Sequence, residues 1–244
     1  METTSKIVVP ISGGKDSQAA LIPAMQDGRE VIPVFNETGW DHPLTYEHLS
    51  YMTDFFGLSL QVTHYDEAPT IPEIVRKYKR FPFGRGRFCT SKFKQTAFKR
   101  WLDTQQGELE IWLGIRSEES AQRAKKYSAF NPSHLFAMGD IFPNTYPKRI
   151  AERCRYRLPL LETCLEDVFV TIKDAGMKHN PLYDMGFDRV GCFPCLIAGA
   201  ATQKRAFATE FGKKQWKIIQ ELENDIGEKY KFKVDETPCA ICTI

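Results

Sequence analysis

Residues 7–25 read IVVPISGGKDSQAALIPAM, and the junction inside this stretch decides the fold. The run KIVVPI is short, apolar and rich in β-branched residues, which is the pattern of a buried strand. It ends in Ser12-Gly13-Gly14-Lys15, and DSQAALIPAMQDG then reads as a helix, with Pro23 a local irregularity and Gly28 its stop. A helix amino terminus exposes unpaired N–H groups and the positive end of a dipole, so a glycine turn leading into one is a ready anion site. Gly13 and Gly14 allow close backbone approach to a phosphate, Lys15 adds charge, and Asp16 or Ser17 can cap the helix. Phosphate is the ligand class this implies. The spacing is not that of a Walker A loop, which needs G-x-x-x-x-G-K-[ST]. A turn that only joins strand to helix has no need of an acidic residue and a serine directly after Gly-Gly-Lys.

Working outward, EVIPVFNET (30–38), LSLQVTHY (58–65) and ELEIWLGI (108–115) read as further strands. Between them, PLTYEHLSYMTDFFG ends a helix at Gly57, and SKFKQTAFKRWLDT (91–104) has helical periodicity. Strands alternating with helices indicate an α/β fold: an open, mostly parallel sheet with helices on both faces. Right-handed crossovers collect the carboxyl ends of the strands on one edge, where such sheets bind ligands. The second half is less regular. Residues 176–195, GMKHNPLYDMGFDRVGCFPC, are loop-like, and about 40 mostly helical or polar residues follow. The expected division is a nucleotide-binding domain over 1–200 and a helical extension with a Cys-containing tail over 201–244.

The 244 residues are 42% hydrophobic, enough for one sizeable core. With 33 basic against 31 acidic residues, the net charge of +2 neither implies nor excludes a nucleic-acid partner. No apolar run approaches the roughly 20 residues of a membrane helix, and METTSK lacks a signal-peptide apolar region. The expectation is a soluble, cytoplasmic protein. Seven cysteines, four of them in two C-x-x-C pairs, point to metal or redox chemistry more than to structural disulfides; Cys154 and Cys164 can equally be plain buried thiols.

The string SGGKDS after a first strand resembles the pyrophosphate loop of the PP-loop ATP pyrophosphatases, the adenine nucleotide alpha hydrolase-like superfamily. Later segments narrow the resemblance to its phosphoadenosine phosphosulfate (PAPS) reductase-like branch. FNETGWDHPLTYEHL resembles D-T-G-x-x-x-P-x-T, with Glu37 where Asp is usual. GIRSEESAQRAK resembles G-x-R-x-x-E-S-x-x-R. RLPLLETCLEDVFVTIKDAG and NPLYDMGFDRVGCFPC resemble P-L-x-x-W-x-x-x-D-V, with Thr163 in place of tryptophan, and N-P-L-Y-x-x-G-x-x-R-x-G-C-x-x-C. The resemblance implies that Ser12, Gly13, Gly14, Lys15, Asp16 and Ser17 hold nucleotide phosphates, with Glu37, Thr38 and Gly39 on the adjoining turn. Gly114, Arg116, Glu119, Ser120 and Arg123 would frame the second side, the arginines as fork-shaped anion donors. The alternative for that segment is an exposed, charged helix start laced with ion pairs.

Iron-sulfur members of the family hold a 4Fe-4S cluster with a Cys-Cys pair at the earlier position and C-x-x-C at the later one. Here Cys89 stands alone, so Cys89, Cys192 and Cys195 are three candidate ligands. Zinc, or no metal at all, remains open. Cys239 and Cys242 resemble in position the nucleophilic cysteine of sulfonucleotide reductases, which thioredoxin releases; a tail with incidental cysteines is the other possibility. The stretch VRKYKRFPFGRGRFCTSKFKQTAFKRW (75–101) interleaves basic and aromatic residues, which suits a nucleotide or a nucleic acid.

Three functions follow. One is an enzyme that uses ATP and Mg2+, with Lys15, Asp16 and Arg116 in catalytic roles, to adenylylate a substrate for sulfur transfer, nucleic acids included. The second is a sulfonucleotide reductase working through Cys239 or Cys242 with a thioredoxin-like partner. The third is a nucleotide-binding regulator without turnover. The intact SGGKDS favours the first.

Overall fold

A computed structural model describes residues 5–83, 86–143 and 145–230. Cys239 and Cys242 lie outside the described residues. The strands are β1 (Lys6–Pro10), β2 (Val31–Asn36), β3 (Gln61–Thr63), β4 (Leu109–Trp112), β5 (Phe136–Ala137) and β6 (Cys154–Arg157). They form one sheet in the order β3-β2-β1-β4-β6-β5, parallel throughout except for β5, which pairs antiparallel with β6. Helices α1 (Lys15–Gln26), α2 (Pro43–Phe56), α3 (Ile71–Tyr78) and α4 (Ala97–Thr104) connect the first four strands. Short helices α5 (Ala121–Lys126), α6 (Met138–Ile141) and α7 (Lys148–Ala151) lie between β4 and β6, and α8 (Leu165–Asp174), α9 (Ala200–Ala208) and α10 (Glu210–Ile226) follow.

The alternation of the strands divides the core between the two faces. Ile7 and Val9 of β1 pack with Leu21 of α1, Leu49 of α2 and Val168 of α8. Val8 points the other way, into a cluster with Phe98 of α4, Met138 of α6 and Tyr156 of β6. All three of these β1 side chains are fully buried, and each contributes about 1.5–3 kcal/mol relative to exposure. A third cluster joins α3 and α10 around Trp40, Tyr65 and Phe93. The expected open α/β sheet with helices on both faces is therefore the fold.

Three local features differ from the sequence expectation. β3 covers only Gln61–Thr63 of the eight residues expected, and Pro33 supplies the reason. The Ile7 and Ile11 amides bond the Glu30 and Val34 carbonyls, so even-numbered residues of β2 face β1 and Pro33 faces β3 without an N–H. Pairing of β2 with β3 accordingly begins only at Val34. The segment expected as one helix over 91–104 opens as a π-helix, Thr90–Thr96, before becoming α4. There the Thr96 hydroxyl takes the Ser91 carbonyl at 2.8 Å, and the Ala97 amide reaches back to Lys92. β6 escaped the sequence reading because Cys-Arg-Tyr-Arg has only two apolar positions; Cys154 and Tyr156 are buried while the arginines alternate outward.

Candidate functional site

The chain leaves β1 at Pro10 and turns through Gly13, whose φ of +70° suits glycine. A Cβ at Gly13 would also lie 2.7 Å from Thr45 Cγ2 of α2. Contrary to the sequence expectation, neither Asp16 nor Ser17 caps α1. Gly14 occupies the N-cap position and makes no side-chain bond, because the two polar residues fall inside the first turn. Ser17 Oγ instead accepts from the Ser12 amide at 3.1 Å and donates to the Gly14 carbonyl at 2.9 Å, so it ties the loop to itself. Lys15 is only 6% exposed, with Nζ 3.0 Å from Asp16 Oδ2. The Asp16 and Ser17 amides meet no protein acceptor among the described residues. They remain available to an anion.

The end of β4 forms the second side. A Cβ on Gly114 would come within 2.3 Å of the Asp16 carbonyl oxygen, so glycine is required where strand and helix start abut. Arg116, two residues on, is buried; its Nε donates to Asp16 Oδ1 at 2.7 Å and its NH1 to Glu118 Oε2 at 2.6 Å. Burial works against its charge, but these carboxylates outweigh it and hold its pKa above the ordinary arginine value. Arg123 is also buried and pairs with Glu119, four residues before it, while Ser120 caps α5 by accepting from the Arg123 amide at 3.2 Å. Glu119, Ser120 and Arg123 thus stand as a buried ion pair and a helix cap beside the loop. This ion-paired start fits the alternative weighed for the segment in its bonding, but not in its exposure.

Sequence reasoning assigned no roles to the residues that brace the loop from behind. Asn180, fully buried, donates from Nδ2 to the Gly13 carbonyl at 3.1 Å and accepts at Oδ1 from the Leu182 amide at 3.0 Å. Tyr183 Oη accepts from the Lys15 amide at 2.9 Å. Gln18 of α1 donates to the Lys178 carbonyl at 2.9 Å, and its Oε1 lies 3.0 Å from His48 Nε2. Burial, with His179 nearby, pushes the His48 pKa down to about 4, so the ring is neutral. A cavity of about 720 Å³ opens beside this brace, with His48, Tyr51, Phe169 and His179 among its walls. The signal was present in the string NPLY, but contacts across more than 160 residues have no local spacing to betray them.

The adjoining turn is held by its own side chains. Glu37 Oε1 accepts from the Thr38 amide at 2.8 Å, the Gly39 amide at 2.6 Å and the Tyr46 hydroxyl at 2.7 Å. A Cβ on Gly39, at φ +59°, would lie 2.5 Å from Thr70 Cγ2. Thr38 donates to Asp41 Oδ2 at 2.6 Å, and burial pushes the Asp41 carboxyl up to about 6. Cys192 joins this group, its Sγ donating to Thr38 Oγ1 at 3.6 Å. Burial, with Asp41 beside it, pushes the Cys192 thiol up to about 12, and Cys89 is close enough to contribute.

A metal centre needs thiolates, and burial favours the protonated Cys192 thiol until an ion is bound to it. Among the described residues no three His, Cys, Asp or Glu side chains gather as a metal-binding group, so Cys89, Cys192 and Cys195 do not form the ligand set expected for iron-sulfur or zinc. Cys154 and Cys164 do not complete one: Cys154 is buried in β6, and Cys164 caps α8 by accepting from the Asp167 amide at 3.4 Å. The basic-aromatic stretch also resolves differently. Phe81, Phe88, Phe93 and Phe98 point into the core, and Lys77, Lys92 and Arg100 ring the Tyr65 side chain at 5.5–5.6 Å, with Glu67 paired to Arg100.

This sheet, with a glycine-lysine turn and a buried arginine at the strand ends, is that of the PAPS reductase-like enzymes. The chain belongs to the phosphoadenosine phosphosulfate reductase domain family, whose model matches residues 6–198. It is 27% identical to an uncharacterised 37.8 kDa protein of Escherichia phage 186, over 82% of this chain and 70% of the phage protein. It is 28% identical to a phosphoadenosine 5'-phosphosulfate reductase of Aliivibrio fischeri, over 65% of this chain but 55% of that enzyme. Among solved structures, the phosphate complex of the Candida auris PAPS reductase superposes with a TM-score of 0.56 at 14% identity, covering 79% of this chain and 84% of that one. The Candida glabrata FMN adenylyltransferase in complex with ATP gives 0.52 at 16% identity, covering 78% and 53%. These two likenesses establish the shared α/β fold. No helix among the described residues is long and apolar enough to cross a membrane.

Proposed function

We propose that this member of the family spends ATP: it binds the nucleotide at Ser12–Ser17, with the Glu37–Gly39 turn on the adjoining side, and adenylylates a substrate for sulfur transfer. The observation that carries the reading is the intact, pre-formed glycine-lysine loop, with Lys15 beside two amides that lack a protein acceptor among the described residues. In the proposed reaction a substrate oxygen attacks the α-phosphorus and pyrophosphate leaves; a sulfur nucleophile then bonds to the substrate carbon that carries this oxygen, and the C–O bond breaks to release AMP with the oxygen. Lys15 and the α1 amides would stabilise charge on the leaving pyrophosphate. Mg2+ arriving with ATP would supply further charge neutralisation there. Arg116, held on Asp16, would turn to a phosphate oxygen as a fork-shaped donor. The substrate, a nucleic acid among the candidates, and the sulfur donor belong to the same proposal.

Sulfonucleotide reduction is the second reading, favoured by the family match and by the Aliivibrio relative. It needs Cys239 or Cys242 as nucleophile and a thioredoxin-like reductant. One assay pair separates the two. Anaerobically purified protein is given ATP with Mg2+ or, separately, PAPS with thioredoxin. AMP and pyrophosphate without sulfite are expected. Sulfite release that disappears with Cys239→Ser or Cys242→Ser would overturn the ATP reading.

A further inference from the structure

The Lys15 amide is the first of those that α1 leaves without an intrahelical acceptor, and it donates to Tyr183 Oη at 2.9 Å. That contact favours the phenolate, and the Val190 backbone beside it acts in the same direction. Burial outweighs them and raises the phenol's pKa, so the hydroxyl keeps its proton. A phenol oxygen has two lone pairs and one proton. With the Lys15 amide on one lone pair, Tyr183 keeps its proton, and that proton is the part of the hydroxyl an anion can take. Tyr183 donates to no protein atom among the described residues.

The ring that carries this hydroxyl is held on several sides. Phe169 and His179 pack against it edge-to-face, with centroids 5.6 and 6.1 Å away, and Lys15 Nζ lies 5.5 Å from its centroid. The Tyr183 amide closes a turn on the Asn180 carbonyl at 3.0 Å, and Asn180 itself is bonded to Gly13. A donor fixed in this way loses little freedom when a ligand arrives.

We infer that Tyr183 is a ligand-binding residue of the phosphate loop, its hydroxyl donating to an anionic phosphate oxygen seated at the amino end of α1. The inference rests on the phosphate reading of that loop and adds a neutral donor to Lys15 and the helix amides. It also explains why a phenol, and not a carboxylate, meets the Lys15 amide. A carboxylate would repel the anion, whereas a phenol accepts from the amide and still donates.

The test is calorimetric titration of inorganic pyrophosphate, and separately of ATP with Mg2+, into wild-type protein and Tyr183→Phe. Ligand-free melting curves of both accompany it. Phenylalanine keeps the ring contacts and removes only the hydroxyl. The expected result is about tenfold weaker binding of both ligands, as for a hydrogen bond to a charged acceptor. The ligand-free melting temperature should fall by no more than about 4 °C. Affinities within twofold of wild type would make the hydroxyl a helix cap alone and overturn the inference. Loss confined to ATP, with pyrophosphate unaffected, would overturn it as well, because the contact would not be to phosphate. Wild-type protein that binds neither ligand would overturn the phosphate reading itself, a failure distinguishable from the other two.

Discussion

Two regions of the sheet edge drew the same kind of attention as sequence and differ in structure. The glycine-lysine loop, proposed above to hold phosphate, is built from contacts that converge on it from four directions: Thr45 below Gly13, Gly114 against Asp16, Asn180 on the Gly13 carbonyl and Tyr183 on the Lys15 amide. The thiol edge has Cys192 bonded to one hydroxyl and Cys89 nearby, with no group of three ligands among the described residues. A binding loop pre-formed by long-range polar contacts has little slack, whereas a thiol donating one weak hydrogen bond can be replaced. The regions should therefore respond very differently to small substitutions.

The largest effect is expected at Gly114→Ala. The added methyl meets the Asp16 carbonyl, a backbone atom at the start of α1, and the overlap costs about 3 kcal/mol. Urea unfolding should register the loss, and pyrophosphate binding should fall with it. Unchanged stability would mean that strand end and helix start are not in contact.

Acid should open the same region from behind. The His48 pKa is about 4 in the folded chain against an ordinary 6.5, so its contribution is fully present above pH 6.5 and is lost as pH falls through about 4. About 2 kcal/mol is expected to disappear across that window, as the difference between wild type and His48→Gln in urea midpoints followed from pH 7 to 4. Parallel pH profiles for the two proteins would remove His48 from the brace.

Asn180→Ala comes next. It leaves the Gly13 carbonyl and the Leu182 amide without their partner and should cost about 1.5 kcal/mol in a thermal or urea melt. Because the Gly13 end belongs to the phosphate loop, ATP affinity should decline more than the stability loss alone accounts for. Cys192→Ala is expected to be the mildest, at about 1 kcal/mol or less, with no change in the iron or zinc content of anaerobically purified protein. Metal lost together with the fold would reverse the comparison and restore the cysteines as ligands.

The strand-turn-helix at 7–25 was legible because each of its signals is local. An apolar β-branched run, two glycines and helical periodicity lie within twenty residues, and the same holds for β2, α2 and β4. Where the sequence reading was incomplete, the cause lay in partners far along the chain or in a local exception to a rule. Pro33 shortens β3 because its missing N–H faces that strand, and this orientation depends on how β2 pairs with β1. Asp16 and Ser17 look like capping residues, but the cap position is fixed by where the first helical carbonyl falls, and Gly14 holds it. The cysteines have the spacing of ligands, yet spacing does not say whether the fold gathers them, and among the described residues no group of three forms.

By itself, then, the sequence determined the class of fold, the place of the glycine-lysine turn and the family whose motifs it carries in order. Those depend on periodicity, turn chemistry and short spacings, which a chain displays without folding. Only the tertiary structure decided which groups complete the loop. Asn180 and Tyr183 reach Gly13 and Lys15 across 167 and 168 residues, and Arg116 meets Asp16 across 100. Hydrogen bonds and ion pairs act over a few ångströms in space regardless of separation in sequence, so their partners are fixed only when the sheet brings its strand ends together.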